Sequence, residues 1–212
     1  MRIFGHSFRI TPYFWLIWIL FAISQIDFRS LENLPQNLML TGLLLPVVFG
    51  SLLWHELGHI LFHRQFGAHN LETVFGAYGG RTSSDGDIGR RRRVFISMAG
   101  PIFTLIFLVA GVAVQKLVPG LEEPELVRRT LHLFIIFNFV WTIANVMPIF
   151  PMDCGWILSA IYPNSRILLS IVGIILSLLF VVFSVMTGRY AGAFVLGVLL
   201  YVNVKRLFSK AY

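Results

Sequence analysis

The segment Leu53–Ile60, with the sequence LWHELGHI, places two histidines and a glutamate inside an otherwise apolar stretch. If the segment is helical, His55 and His59 share one face because they are four residues apart. Both imidazoles can then bind one ion, and Glu56 can hold a water molecule bound to that ion. An ionisable side chain at the centre of a bilayer costs roughly 3 kcal/mol, so such groups usually have a function. The pattern predicts a metal site; a buried structural cluster of histidines is the alternative.

Zinc, at one ion per chain, is the metal that this pattern favours. It binds neutral imidazole, and its catalytic sites have three protein ligands and one open position, so a third ligand is needed. His63 is excluded because it lies about 12 Å from His55 along a straight helix, whereas each donor lies ~2 Å from the ion. The metzincin extension is excluded too, since Phe62 and Gln65 stand where that motif has glycine and histidine.

A carboxylate is the remaining type of third ligand. Asp153 is favoured because it follows an apolar segment in the sequence NVMPIFPMDCGW, where Pro148 and Pro151 interrupt regular helix. Broken backbone at membrane depth is tolerated where it is buried or lines a water-filled cavity, and hydrolysis requires such a cavity. We therefore predict that His55, His59 and Asp153 bind the metal, with an ordinary loop carboxylate as the alternative for Asp153. The other candidates, none of them within a second apolar segment, are Glu72, Glu122, Glu123 and Glu125.

Polar residues also line one face of the apolar segment that precedes Asp153. Asn138 and Thr142 are expected to form interhelical hydrogen bonds. Asn145 lies nearest to the proline-containing turn, and we predict that its amide binds a substrate carbonyl or a developing oxyanion. The single cysteine, Cys154, excludes an intramolecular disulfide. It is expected to pack as a small residue, with a redox role beside the metal as the alternative.

The composition indicates a membrane protein with several spans. Hydrophobic residues make up 57% of the 212 residues and charged residues 13%, and several runs reach the ~20 apolar residues that cross a bilayer. These values exclude an ordinary soluble domain. For the first span, a cleaved signal peptide is the alternative. The six predicted spans are 10–27, 38–62, 94–115, 131–147, 166–187 and 189–207.

The positive charges predict that both termini are cytoplasmic. With this orientation the inner side receives twelve Lys and Arg residues: Arg2, Arg9, Arg64, Arg81, Arg90, Arg91, Arg92, Arg93, Arg166, Lys205, Arg206 and Lys210. The outer side receives five: Arg29, Lys116, Arg128, Arg129 and Arg189. The net charge of +7 does not point to nucleic acid, because the basic residues lie in short connections between apolar segments. Arg90 to Arg93 are expected to anchor the third span rather than to bind acidic lipid or nucleic acid.

The fold predicted from these patterns is an all-α polytopic membrane protein. Small residues on the third span (Ser97, Gly100, Thr104) and the fifth (Ser170, Gly173, Ser177, Ser184) are expected to allow close helix packing. The glycine-rich sequence VFGAYGGRTSSDGD, between spans 2 and 3, predicts a hairpin or a re-entrant loop. We expect a single membrane domain over 1–212 with a catalytic core at about 38–160, and neither a PDZ-sized insert nor a C-terminal soluble domain.

Together these motifs resemble the site-2 protease family of intramembrane zinc metalloproteases. The family's HExxH motif matches His55, Glu56 and His59. Its second motif, an asparagine followed by a proline-rich turn and Asp-Gly, resembles the stretch from Asn145 through Pro148 and Pro151 to Asp153. Gly79-Gly80 is similar to a family loop near the active site. The chain differs in Cys154, which stands between aspartate and glycine, and in Thr104, where many members have asparagine.

The resemblance implies a zinc metalloendopeptidase that hydrolyses peptide bonds in or near a transmembrane segment of a membrane-anchored substrate. The two histidines and Asp153 would bind zinc, and Glu56 would activate water. Six spans without a PDZ domain are similar to the compact branch that includes the sporulation factor IVFB protease. A bacterial or archaeal cell membrane is the expected location. An inactive relative that binds zinc and a partner helix, and a membrane metal transporter, are the alternatives.

Overall fold

The computed structural model of the protein describes residues 2–3, 6–23, 34–86, 88–121 and 123–209. Three residues used in the sequence-based interpretation, Arg29, Glu122 and Lys210, lie outside these ranges, as does the end of the first predicted span.

Most of the described chain is helical. Prolines lie inside two of the long helices, at Pro46 and Pro101. A short helix begins at Asp153, directly after the proline-rich turn. The helices of the described residues are α1 (Pro12–Ile23), α2 (Leu34–Gln65), α3 (Arg90–Leu117), α4 (Glu125–Val146), α5 (Asp153–Ile161), α6 (Arg166–Met186) and α7 (Tyr190–Phe208).

Among the described helices, four are long and apolar enough to cross a membrane: α2, α3, α4 and α6. Large apolar side chains on these helices are exposed on the protein surface, among them Ile106, Phe139 and Leu179. Lipid is the environment in which such surfaces are stable. These features support an integral membrane protein.

A four-stranded sheet accompanies the helices, which the all-α prediction did not include. Its strands are β1 (Arg2–Ile3), β2 (His6–Ile10), β3 (Leu71–Gly76) and β4 (Gly79–Ser83), and they lie in the order β1-β2-β3-β4. β3 and β4 are antiparallel and are joined by two residues, Ala77 and Tyr78, whereas β2 is parallel to β3. The N-terminal strands were missed because five residues with weak alternation give no clear period, and parallel pairing is a long-range contact.

Aromatic and aliphatic side chains join the sheet to the helices. Phe14 and Trp18 of α1, Val48 and Leu52 of α2, and Phe75 of β3 form one buried cluster. On β3 the buried residues alternate with half-buried ones, so one face of the strand packs on the helices. This packing places β4 beside the C-terminal half of α2, where the histidine pattern lies.

Candidate active site

The two histidines and the glutamate of the LWHELGHI segment lie within α2, as their spacing predicts. All three side chains are buried, with exposed fractions of 3% for His55, 2% for Glu56 and 6% for His59. The imidazoles lie one above the other, and their Nε2 atoms are 3.2 Å apart. The helical period alone accounts for this pairing.

Helix α3 fixes the orientation of both imidazole rings. His59 Nδ1 donates a hydrogen bond to the carbonyl oxygen of Ile96, at 2.7 Å. The Thr104 hydroxyl donates to the Gly100 carbonyl, so it accepts from His55 Nδ1, at 2.8 Å. In neutral imidazoles these bonds place the proton on Nδ1 and leave the Nε2 lone pair free to bind a metal.

Asp153, the first residue of α5, completes a group of three side chains that could hold a metal ion, named the metal-binding group. Its Oδ2 lies 3.1 Å from His55 Nε2, and its Oδ1 lies 3.4 Å from His59 Nε2. Within the described part of the chain, this is the group of histidine, cysteine and carboxylate side chains that could hold a metal ion. The structure therefore brings together the three residues that the sequence analysis selected.

The donor atoms fit a tetrahedral zinc ion. Ligand atoms ~2.0–2.1 Å from zinc lie about 3.3 Å from one another in such a site. The two imidazole nitrogens are 3.2 Å apart, Asp153 Oδ2 is 3.1 Å from the His55 nitrogen, and Asp153 Oδ1 is 3.4 Å from the His59 nitrogen. Two imidazole lone pairs and a carboxylate converge without a proton between them when the imidazoles are neutral. The buried Oδ2 of Asp153 also lacks a hydrogen-bond partner. A cation would satisfy all three groups.

Glycines allow α3 to approach the site closely. A Cβ atom at Gly100 would lie 2.6 Å from His55 Nε2 and closer still to His59 Nε2. At Gly58, between the two histidines, a Cβ atom would lie 2.6 Å from the Ala99 carbonyl oxygen. Both contacts are shorter than side chains tolerate, so the helix–helix distance depends on these two glycines. The sequence analysis assigned Gly100 to packing, and the structure adds its proximity to the metal-binding atoms.

Strand β4 holds Glu56. The Thr82 hydroxyl donates a 2.7 Å hydrogen bond to Glu56 Oε2. The backbone of Gly80 passes so near that an added Cβ atom would collide with the Glu56 side chain. Of the Gly79-Gly80 pair, noted from its resemblance to a family loop, Gly80 thus lies against Glu56, whereas Gly79 lies against Trp141.

A cavity of about 330 Å³, with several polar and charged lining residues, opens onto the site. Glu56, Asp153 and Asn145 line it, and so do Tyr78 and Arg81 from the β3–β4 region. A cavity of this size can hold water and part of a peptide, and it contrasts with the apolar surface of the surrounding helices.

Asn145 is buried and faces this cavity. Its Nδ2 donates to the Trp141 carbonyl of its own helix, at 2.9 Å, which uses one of the two amide hydrogens. Asn138 makes the expected interhelical bond, to Ser51 of α2, at 2.9 Å. The Thr142 hydroxyl bonds instead to the Asn138 carbonyl within α4, since a threonine in a helix can reach the carbonyl four residues earlier.

A fully buried asparagine of α7, Asn203, holds the turn that carries Asp153. Its Oδ1 accepts from the Phe150 backbone N–H, at 3.2 Å, and its Nδ2 donates to the Phe150 carbonyl, at 2.8 Å. Gly173 of α6 makes room for this amide, because a Cβ atom there would collide with it. Arg206 lies over the Phe150 ring and donates to Ser159 of α5, at 2.9 Å.

The remaining candidates lie apart from the metal-binding group. Glu72 pairs with Arg9, at 3.3 Å, and Glu125 pairs with two arginines one turn later in α4. Neither these glutamates nor Glu123 belong to the group of three. His63 lines the cavity but is outside the group, as the helix length predicts. Cys154 is half-buried and free.

The sequence matches no family model and no curated protein. A search of solved structures finds the site-2 protease from Methanocaldococcus jannaschii, with a TM-score of 0.69 and 21% sequence identity. The similarity covers 100% of this chain and 95% of that protein. The chain has the site-2 protease fold. The resemblance that the motifs indicated is thus confirmed for the fold, whereas the likeness to the sporulation branch stays a prediction.

Three contacts in this site-2 protease fold were not foreseen from the sequence: Thr104 with His55, Asn203 with Phe150, and Thr82 with Glu56. The contact between Thr82 and Glu56 had a local indication in the sequence. A two-residue turn at Ala77 and Tyr78 sets the β3–β4 register, and this register places Thr82 beside α2. The Asn203 contact spans 53 residues and had no local signal.

Proposed function

We propose that this protein is an intramembrane zinc metalloprotease that hydrolyses peptide bonds within or near a transmembrane segment of a membrane-anchored substrate. His55, His59 and Asp153 are the zinc ligands in this proposal, Glu56 is the general base, and Asn145 binds the substrate carbonyl. The catalytic core comprises residues 38–160. Regulated intramembrane proteolysis is the corresponding biological process.

One observation carries the proposal. Two imidazole nitrogens lie 3.2 Å apart, and the two oxygens of one carboxylate lie 3.1 and 3.4 Å from them, beside a glutamate and a cavity with polar lining residues, in a protein of long apolar helices. The site-2 protease fold adds support. A catalytic metal with an accessible position and an adjacent carboxylate is the arrangement that hydrolysis requires.

A zinc ion held by His55, His59 and Asp153 would polarise the scissile carbonyl and lower the pKa of a bound water toward neutrality. Glu56 lies next to His55 in α2, and it accepts the proton of the attacking water and returns it to the leaving amine. The second amide hydrogen of Asn145 is available for the oxygen of the scissile carbonyl. His55 and His59 keep their ring orientation throughout because α3 holds their Nδ1 atoms.

The substrate helix must unwind before it is cleaved. Its carbonyl groups accept hydrogen bonds within the helix and are covered by side chains. In lipid, where no water replaces them, these hydrogen bonds are kept. Glycine, asparagine or proline near the scissile bond lowers the cost of unwinding, so it increases the rate of cleavage. A span made only of leucine and alanine is expected to be a poorer substrate.

The proposed topology has six spans with both termini in the cytoplasm of a bacterial or archaeal cell. Arg64 near the end of α2 and Arg90–Arg93 at the start of α3 lie on the same side of the membrane as the metal-binding group in this arrangement. Their positive charge favours the cytoplasmic side. Cleavage then takes place near the cytoplasmic end of the substrate helix.

The function can be tested with purified protein in detergent and a fluorogenic peptide that has one apolar span with Gly-Asn-Pro at its centre. The wild-type protein is expected to contain about one zinc ion per chain and to cleave the peptide. The Glu56→Gln variant should keep its zinc and fold but lose cleavage by more than about a hundredfold. Normal cleavage by this variant would show that Glu56 is not the base.

Two further outcomes separate the alternatives. A wild-type protein that binds zinc but cleaves neither this peptide nor a Leu/Ala-rich control would be an inactive relative. Zinc uptake by liposomes that contain the Glu56→Gln variant would indicate transport. Transport is disfavoured by the ligand arrangement, because the metal-binding side chains of the described residues form one group rather than a path.

A further inference from the structure

A continuous line of hydrogen-bonded polar side chains, three of them buried and one half-buried, runs from β2 to Glu56. His6 Nε2 lies 2.9 Å from Thr73 Oγ1, and Thr73 Oγ1 lies 2.7 Å from Thr82 Oγ1. Thr82 Oγ1 in turn lies 2.7 Å from Glu56 Oε2. The four residues belong to β2, β3, β4 and α2, so the line crosses the sheet and ends on the helix of the metal-binding group.

The hydrogen-bonding capacity of each group fixes the direction of the bonds. A carboxylate accepts, so the single hydroxyl hydrogen of Thr82 points to Glu56. Thr82 must therefore accept from Thr73, and Thr73 must accept from His6 Nε2–H. The other ring nitrogen of His6, Nδ1, is buried without a hydrogen-bond partner, as expected for the unprotonated nitrogen of a neutral imidazole. Every donor in the line points toward Glu56.

Strand register and burial maintain this line. Thr73 and Thr82 are directly opposite each other in the β3–β4 pair, and His6 is opposite Leu71 on the neighbouring parallel strand. Thr73 is fully buried and His6 is 2% exposed. Burial first, and the positive charge of Arg64 second, lower the pKa of His6, so the imidazole is neutral near neutral pH. Unpaired buried polar groups are costly, so these bonds are strongly favoured.

The Glu56 carboxylate needs a hydrogen bond to fix its orientation. Its side chain lies between the backbone of Gly80 and the cavity, and its carboxylate accepts a hydrogen bond from Thr82. If Thr82 did not hold Oε2, the carboxylate could rotate about its last side-chain bond. A general base that rotates away from the attacking water loses much of its effect, because small displacements of reacting groups lower rates strongly.

We propose that Thr82, supported by Thr73 and His6, is the positioning residue that orients Glu56 for proton transfer. This inference rests on the proposed function for the role of Glu56, but the orientation of the carboxylate can be tested without it. The sheet is then part of the catalytic apparatus, and β2 contributes through His6 although it lies far from the metal-binding group in sequence.

Infrared difference spectroscopy tests the orientation directly. The carboxylate band of Glu56 is the band that disappears in the Glu56→Gln variant. In Thr82→Val, which keeps the β-branched shape but lacks the hydroxyl, this band should shift, and in Thr82→Ser it should return to its original position. Thr130→Val, which removes a hydroxyl bonded only within α4, is the matched control and should leave the band unchanged.

Kinetics on the Gly-Asn-Pro peptide test the consequence. We expect Thr82→Val to lower kcat by about tenfold, with KM changed less than about twofold, because substrate binding does not use this hydroxyl. Thr82→Ser should restore kcat. Thr73→Val and His6→Leu should lower kcat by about threefold, and His6→Gln, which keeps an N–H donor, should restore it. All these variants should retain zinc.

The two proposals fail in different ways. An unshifted band in Thr82→Val, or a shift that Thr82→Ser does not reverse, overturns the positioning role whether or not the peptide is cleaved. A reversible shift in a wild-type protein that binds zinc but cleaves no peptide supports the positioning role and overturns the protease assignment. A loss of zinc in Thr82→Val would mean that the hydroxyl supports the fold of the site rather than the orientation of Glu56.

Discussion

The two sides of the metal-binding group are held in different ways. On one side, His55 and His59 are neighbours on α2, and α3 holds both rings through a backbone carbonyl and one hydroxyl. On the other side, Asp153 begins a nine-residue helix after a turn that Asn203 of α7 clamps at Phe150. The imidazole side is thus built from contacts within and between two long helices. The carboxylate side depends on the C-terminal helix, so the site needs packing across the whole protein.

Removal of a proposed ligand from either side should cause the largest loss of zinc affinity. Asp153→Ala and His59→Ala each delete one of the three proposed ligands. We therefore expect zinc affinity to fall by more than about a hundredfold in both, beyond the 10–100-fold lost when a residue that hydrogen-bonds a ligand is changed. Zinc content after dialysis in detergent measures this. Full zinc occupancy in Asp153→Ala would show that the carboxylate side is not part of the site.

Gly100→Ala should affect the imidazole side nearly as strongly. The new methyl group would lie 2.6 Å from His55 Nε2, so α3 must move away or the rings must turn. Such overpacking costs about 1–3 kcal/mol, and we expect zinc affinity to fall by at least about tenfold because both rings lose their orientation. Gly197→Ala on α7, where an added Cβ atom has open space, is the control. Equal behaviour of the two variants would contradict the close approach of α3.

Thr104→Val removes the hydroxyl that accepts from His55 Nδ1 without changing the shape of the side chain. We expect zinc affinity to fall by about tenfold, as for other outer partners of metal-binding histidines. Thr104→Ser should restore it, and competition with a zinc chelator gives the affinity. His59 should keep its orientation, because its partner is the backbone carbonyl of Ile96. If Thr104→Val binds zinc as wild type does, this hydroxyl does not orient His55.

Asn203→Leu should give the smallest change in zinc affinity, since it acts on Asp153 through Phe150. We expect a decrease of about threefold, less than that of a direct outer partner, with some loss of stability from the unpaired Phe150 backbone groups. Asn138→Leu is the matched control. Asn138 is also fully buried, but it joins α4 to α2 rather than holding the turn before Asp153. Loss of thermal stability in both variants, with weaker zinc binding in Asn203→Leu alone, would show that Asn203 supports the carboxylate side specifically.

The sequence predicted which histidine and aspartate side chains lie together, but it did not predict every element of the fold. His55, Glu56 and His59 follow from a helical period, and long apolar segments follow from lipid thickness, so both are local properties. Within the described residues, four helices meet the length and hydropathy expected of spans, and the count of six stays a prediction. The N-terminal strands of the sheet were missed because the parallel β2–β3 pairing joins residues 65 positions apart.

By itself, the sequence determined which side chains can do the chemistry: two imidazoles one turn apart, a glutamate beside them, and an aspartate after a proline-rich turn. Only the tertiary structure decided how these groups are held. Thr104, Asn203 and Thr82 reach the site across 49, 53 and 26 residues respectively. No local pattern specifies such contacts, because they depend on how helices and strands pack rather than on the period of any one element.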